Sequence, residues 1–185
     1  MISQGGNGNG GSGSAGASPK VGSISFYSSL YDKKSGSIYL SEFLDGIRNG
    51  RWQDNFFALK LEKDPDKKKE IKKKSPSVTI SGLFSERKDS CLIAHSGFIA
   101  IDIDHVEDVK GVKRLLSNDP YVYSVFTSIS GEGLCALFKI DPKRHLDAFE
   151  AICAHITGSY HVITDPSVKN LSRLRIVSYD PDIYV

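Results

Sequence analysis

Residues 97–105 read GFIAIDIDH, the stretch that most restricts how this chain can fold. Phe98 to Ile103 is apolar but for Asp102, with isoleucine at every second position. It is too short for a buried helix and rich in the β-branched side chains that fit a pleated sheet. Side chains alternate along a strand, so Ile99, Ile101 and Ile103 share one face and Phe98, Ala100, Asp102 and Asp104 the other. The isoleucine face is predicted to pack beneath helices. The two carboxylates then stand together where the strand ends, their Cα atoms roughly 6.5–7 Å apart.

The flanking segments set the fold class. VGSISFYSSLYD, with Ile24, Phe26 and Leu30 as anchors, reads as a strand or extended arm. SIYLSEFLDGIRNG reads as a helix capped by Ser41, with Phe43, Leu44 and Ile47 at helical spacing and Asn49-Gly50 closing it. SVTISGLF alternates like a strand. VEDVKGVKRLLSN predicts a helix with Val106, Val109, Val112 and Leu115 on one stripe. YVYSVFTS and GLCALFKI read as strands, PKRHLDAFEAICAHITGSY as a helix, and HVIT and RLRIVSYD as short strands. This order predicts an α+β fold, a mainly antiparallel sheet with helices on one face. Residues 1–20, rich in glycine and serine, are expected to be a flexible leader. A single domain is expected over 21–185, with an elaboration over 21–76 ahead of a core over 77–185.

Charge excludes less than it might. A net charge of +2 is too mild to mark a nucleic-acid binder, so local clusters must carry that argument. The lysine run in FFALKLEKDPDKKKEIKKKSP has two readings: a basic strip for phosphates, or a solvated helix face whose charge Glu62, Asp64, Asp66 and Glu70 partly cancel. Three cysteines, Cys91, Cys135 and Cys153, with no CxxC spacing, point to reduced thiols rather than a disulfide framework or structural zinc. No apolar run reaches the roughly 18 residues of a membrane span, and the N-terminus lacks a secretory pattern. The expected location is cytoplasmic.

Two carboxylates this close repel unless a cation bridges them, arginine pairs with them, or water screens both. A hard divalent cation suits their oxygens, whereas the plainer reading is a strand-end turn with Asp104 capping the next helix. Of these, a cation rather than an arginine is expected between them. Downstream, TSISGEGLCALFKI places Ser128, Ser130, Gly131 and Gly133 in a turn between two strands. Glycines so spaced make a tight hairpin, and they also let backbone N–H groups approach a phosphate. Asp165 follows a short apolar stretch as Asp104 does, and Arg173 and Arg175 would share one face of a strand. Such a pair forks onto phosphates or neutralises a nearby acid. Asp180 and Asp182 read as structural turn residues.

Taken together, GFIAIDID, SISGEGLCALFKI, ITDPS and LSRLRIVSYD resemble the archaeo-eukaryotic primase (primase-polymerase) superfamily. More narrowly, with SISFYSSLYD and LSEFLDGIRNG upstream, they resemble the BT4734-like (VirE N-terminal) domains of bacterial mobile-element and phage replication proteins, over about residues 21–185. The resemblance implies an RRM-like catalytic core, with Asp102, Asp104 and Asp165 as catalytic ligands of Mg2+ or Mn2+. It further implies nucleotide contacts from Ser128, Ser130, Gly131, Gly133, Arg173 and Arg175. The implied partners are DNA, nucleoside triphosphates and a linked helicase or ATPase. One position departs from the pattern: Cys135 stands where the superfamily usually carries a histidine, and a thiol supplies no cationic contact to a triphosphate. The implied activity is metal-dependent nucleotidyl transfer on a DNA template, with a catalytically weak or inactive nucleic-acid- or nucleotide-binding module as the alternative.

Overall fold

The predicted strand forms as β6, Phe98–Ile103, at one edge of a three-stranded antiparallel sheet. Its neighbour is β8 (Leu134–Lys139), followed by β7 (Val122–Thr127). The computed structural model describes residues 22–165 and 168–185. The expected leader over 1–20 lies outside them, as do Pro166 and Ser167.

The isoleucine face packs as expected. Ile99, Ile101 and Ile103 join Leu116 of α4 (Val109–Ser117) and Phe149 and Ile156 of α5 (His145–Tyr160) in one buried cluster. The stripe on α4 differs from the prediction, since Leu116 is fully buried and Leu115 is half exposed. The helix begins at Val109, with Asp108 capping it by accepting from Gly111 N, so its phase runs Val109, Val112, Leu116. Val106 precedes the helix but still packs on this core.

The second face of this sheet is not bare, which corrects the expectation of helices on one side only. Every residue of β8 from Leu134 to Phe138 is buried, so the central strand has apolar side chains pointing both ways. Ala100, Phe126, Cys135 and Leu137 meet Phe43, Leu44 and Ile47 of α1 (Leu40–Arg48) and Trp52 in a second cluster. Ile24 and Val78 enter it from a separate four-stranded sheet. That sheet contains β1 (Ser23–Tyr27), β2 (Gly36–Tyr39), β3 (Ser77–Thr79) and β9 (Arg175–Ile176), in the order β2-β1-β3-β9, all antiparallel. A third, two-stranded sheet pairs β4 (Gly82–Phe84) with β5 (Leu92–His95). SVTISGLF thus divides between two sheets rather than forming one strand. The fold is mixed α+β, with five α-helices and antiparallel pairing throughout the described residues.

Ser41 does not cap α1. Tyr39 remains extended, paired with Ser23, so β2 runs directly into the helix at Leu40 and no side chain caps it. The lysine-rich stretch makes two helices, α2 (Gln53–Leu61) and α3 (Pro65–Lys74). Asp64 starts α3 by accepting from the N–H groups of Asp66 and Lys67, with Pro65 in the first turn. No residue of α3 is buried.

Asp180 anchors the C-terminal segment, as its structural reading anticipates. Its Oδ2 accepts from Lys113 Nζ at 2.6 Å and from Thr127 N at 2.7 Å. Tyr184 bridges Val125, which covers the open side of β7. Among the described residues no helix is long and apolar enough to cross a membrane.

Candidate functional site

Asp102 lies opposite Cys135 on β8, which in turn faces Phe126 on β7. All of these stand on the α1 side of the sheet, where the apolar cluster ends. The Asp102 side chain is therefore only 25% exposed, whereas Asp104, one residue beyond the strand, is open to solvent.

Asp102 pairs with an arginine, where the sequence reading expects none. Arg175 Nη1 lies 3.1 Å from Asp102 Oδ2, and its Nη2 donates to Ala100 O at 2.9 Å. Arg175 is buried, and its Nε finds no hydrogen-bond partner among the described residues. Burial pushes the Asp102 carboxyl above its ordinary value. Arg175 and Arg173 oppose that shift, while Asp104 and Asp165 reinforce it by repulsion. Arg175 reaches the acid because β9 belongs to the four-stranded sheet, whose inner face packs across the same cluster.

Arg173 and Arg175 do not share a strand face. Arg173 precedes β9 on an exposed turn, where its N–H donates to Asn170 O. Asp89 fixes this turn by accepting from Ser172 N at 2.8 Å, Ser172 Oγ at 2.6 Å and Leu171 N at 3.3 Å. These bonds outweigh the upward push of burial and hold the Asp89 carboxyl below its usual range.

The turn between β7 and β8 closes through Ser128 N to Gly133 O and Gly131 N to Ser128 O, both 2.9 Å. Gly131 has a φ of +77°, which side-chain-bearing residues adopt with strain. Gly133 serves close approach instead, since a Cβ there would meet Ile103 O at 2.7 Å and Asp104 Oδ1 at 3.2 Å. The glycines thus draw the hairpin against the end of β6. The Ser128 and Ser130 hydroxyls lie 3.0 Å apart, one donating to the other, which leaves one hydroxyl hydrogen for a further acceptor.

These elements enclose a cavity of about 260 Å³. Asp102, Asp104, Ser128 and Ser130 line it, and Arg173, Arg175 and Lys72 supply its cations. Neither Gly131 nor Gly133 contributes to the lining. Lys72 was not singled out from the sequence. Its signal was there in part, because Ile71 is the lone aliphatic residue of α3 and marks the inward side that Lys72 flanks.

Asp165 approaches from another direction. The expected strand at HVIT reduces to a single antiparallel bridge, Thr164 to Ile103. That bridge carries Asp165 to the strand end, close enough to repel Asp102. Asp165 is exposed and lines a second cavity, of about 620 Å³, together with Asp104 and His105. Carboxylate oxygens suit Mg2+ or Mn2+. Yet Asp102 Oδ2 is engaged by Arg175, and among the described residues no three His, Cys, Asp or Glu side chains are grouped to hold a metal ion.

Cys135 is buried against Asp102. Burial, with the neighbouring carboxylate adding to it, pushes its thiol up to about 12, so it stays neutral and offers neither thiolate nor cation.

A family model described as BT4734-like, N-terminal domain, matches residues 70–185. No curated protein and no solved structure was found to match the chain.

Proposed function

The chain belongs to the BT4734-like N-terminal domain family, and from that premise we propose that it is a phosphate-recognising domain of the primase-polymerase type. In this reading it has an RRM-like core and serves a bacterial mobile-element or phage replication protein. It binds nucleoside triphosphates and single-stranded or template DNA, and it positions a linked helicase or ATPase.

The observation that carries this reading is the Arg175–Asp102 pair within a cavity also lined by Arg173 and Lys72. Two bare carboxylates would repel a phosphate. Arg175 cancels one of them at 3.1 Å, and the remaining cations, with the Ser128 and Ser130 hydroxyls, favour an anion. Arg173 is the most exposed of these cations and supplies a forked contact, while Lys72 adds a point charge. The neutral Cys135 thiol does not strengthen triphosphate binding and so weighs against catalysis.

A second reading, metal-dependent nucleotidyl transfer with Asp102, Asp104 and Asp165 holding Mg2+ or Mn2+, draws support from the Thr164–Ile103 bridge that brings Asp165 to the pair. It requires Arg175 to give up Asp102.

Titration with a nucleoside triphosphate and with labelled single-stranded DNA separates the two. The binding reading expects Arg173→Ala and Lys72→Ala each to weaken binding about tenfold. It expects Asp102→Ala to retain or tighten binding, because a negative charge leaves the cavity, and no nucleotide incorporation with either metal. Incorporation that disappears in Asp102→Ala replaces it with the second reading. A chain that binds neither ligand overturns both.

A further inference from the structure

Phe57 is an exposed phenylalanine in mid-helix, 44% accessible, one turn before Leu61 at 78%. Phe56 and Leu59 already supply the inward side of α2, so the packing of this helix does not account for Phe57. Its ring lies 5.6 Å from that of Phe56 and 5.8 Å from that of Tyr179, centroid to centroid. Tyr179 is held on both sides: Ser178 Oγ donates to Thr127 O at 2.7 Å, and Asp180 accepts from Thr127 N at 2.7 Å. The aromatic group is therefore fixed in place while Phe57 faces solvent.

This group adjoins the phosphate cavity. A Cβ on Gly131 would sit 3.9 Å from Phe56 Cζ, so the hairpin that supplies Ser128 and Ser130 lies beside the aromatic cluster. Lys60 Nζ lies 5.9 Å from the Phe56 ring centroid. Helix α3 is tied to α2 by Asn55 Nδ2 donating to Ser75 Oγ at 3.3 Å, and it carries six lysines against two acids. An exposed ring backed by the half-buried Tyr179, near a lysine-rich helix, matches a ligand with planar apolar groups on a polyanionic chain. Duplex DNA keeps its base faces stacked inside, whereas a single strand presents them.

We propose that Phe57 and Tyr179 form a stacking platform for an unpaired base of single-stranded nucleic acid, whose phosphates run along Lys60 and the lysines of α3. This rests on the reading of the cavity as a phosphate site and extends it to residues 53–61, which lie outside the segment matched by the family model.

The test is fluorescence anisotropy of the full chain with a labelled single strand of about 15 nucleotides, alongside nucleoside triphosphate titration and thermal melting. Phe57→Ala is expected to weaken strand binding about fivefold or more. Triphosphate affinity and melting temperature should stay unchanged, and Phe57→Trp should restore the strand. Wild-type strand binding by Phe57→Ala overturns the platform. If Arg173→Ala still loses triphosphate in that case, the proposed function stands without it. Loss of strand and triphosphate together with a lower melting temperature also overturns the platform, since the residue is then structural. Unchanged strand binding with loss of a protein partner assigns the surface to protein docking instead.

Discussion

Arg175 on β9 holds Asp102 at the end of β6, with Nη1 3.1 Å from Oδ2, and the same guanidinium donates to Ala100 O. One side chain thereby neutralises an inward-placed acid and ties the four-stranded sheet to the three-stranded one. Arg175→Met is expected to cost about 2–3 kcal/mol, somewhat below the figure for a fully buried pair because Asp102 retains some solvent contact. Asp102→Asn in the same chain should recover part of that loss. Urea denaturation of the two single variants and the double variant measures both.

The C-terminal segment depends on another inward pair. Lys113 and Asp180 are 14% and 6% exposed at 2.6 Å, and Asp180 also accepts from Thr127 N. Asp180→Ala strands the ammonium and the amide together and is expected to cost about 3–5 kcal/mol. Hydrogen exchange should show the Thr127 amide losing protection, and a protected amide in that variant would remove the segment's dependence on this contact.

Two glycines should respond differently to alanine. At Gly133 the new Cβ meets the Ile103 carbonyl at 2.7 Å, so hairpin and strand must separate, at about 1–3 kcal/mol and with loss of phosphate affinity at the neighbouring cavity. At Gly97 nothing lies within 4 Å, and the penalty comes only from a φ of +85°, about 1–2 kcal/mol. Melting curves paired with triphosphate titration distinguish them, because only Gly133→Ala should change affinity.

Acid should weaken the fold through a histidine pair. His95 Nδ1 accepts from Gly97 N at 3.0 Å, so its Nε2 carries the proton and donates to His145 Nδ1 at 3.1 Å. Burial, then the neighbouring His145, lowers His95 from 6.5 to about 4. The unfolded chain therefore binds a proton that the folded chain refuses, and stability present above pH 6.5 is lost as pH falls toward about 4. His95→Gln keeps a neutral side chain and should flatten that slope. Denaturation free energies compared at about pH 7 and pH 4.5 decide it.

Much of the fold was legible because it is written in near neighbours. Alternation along FIAIDI assigns the isoleucines to the helix side, and they pack there. The glycines of SGEGL predict a hairpin, and Gly131 and Gly133 form it by two different physical routes. Errors arose where phase or continuity depended on something farther away. A stripe counted from Val106 ends on Leu115, whereas the helix begins at Val109 and buries Leu116. Ser41 looked like a cap because the pairing of Tyr39 with Ser23 cannot be seen from the helix alone.

The sequence by itself determined that β6 is a strand, which faces its side chains take, and that two acids end it, since backbone periodicity couples residues only a few positions apart. The tertiary structure alone decided what those acids meet. Arg175, Lys72 and Asp165 reach the strand end through a second sheet, a solvated helix and a single β-bridge. The charge state of Asp102 follows from burial and from neighbours distant in the chain, and no local pattern encodes which distant residue arrives.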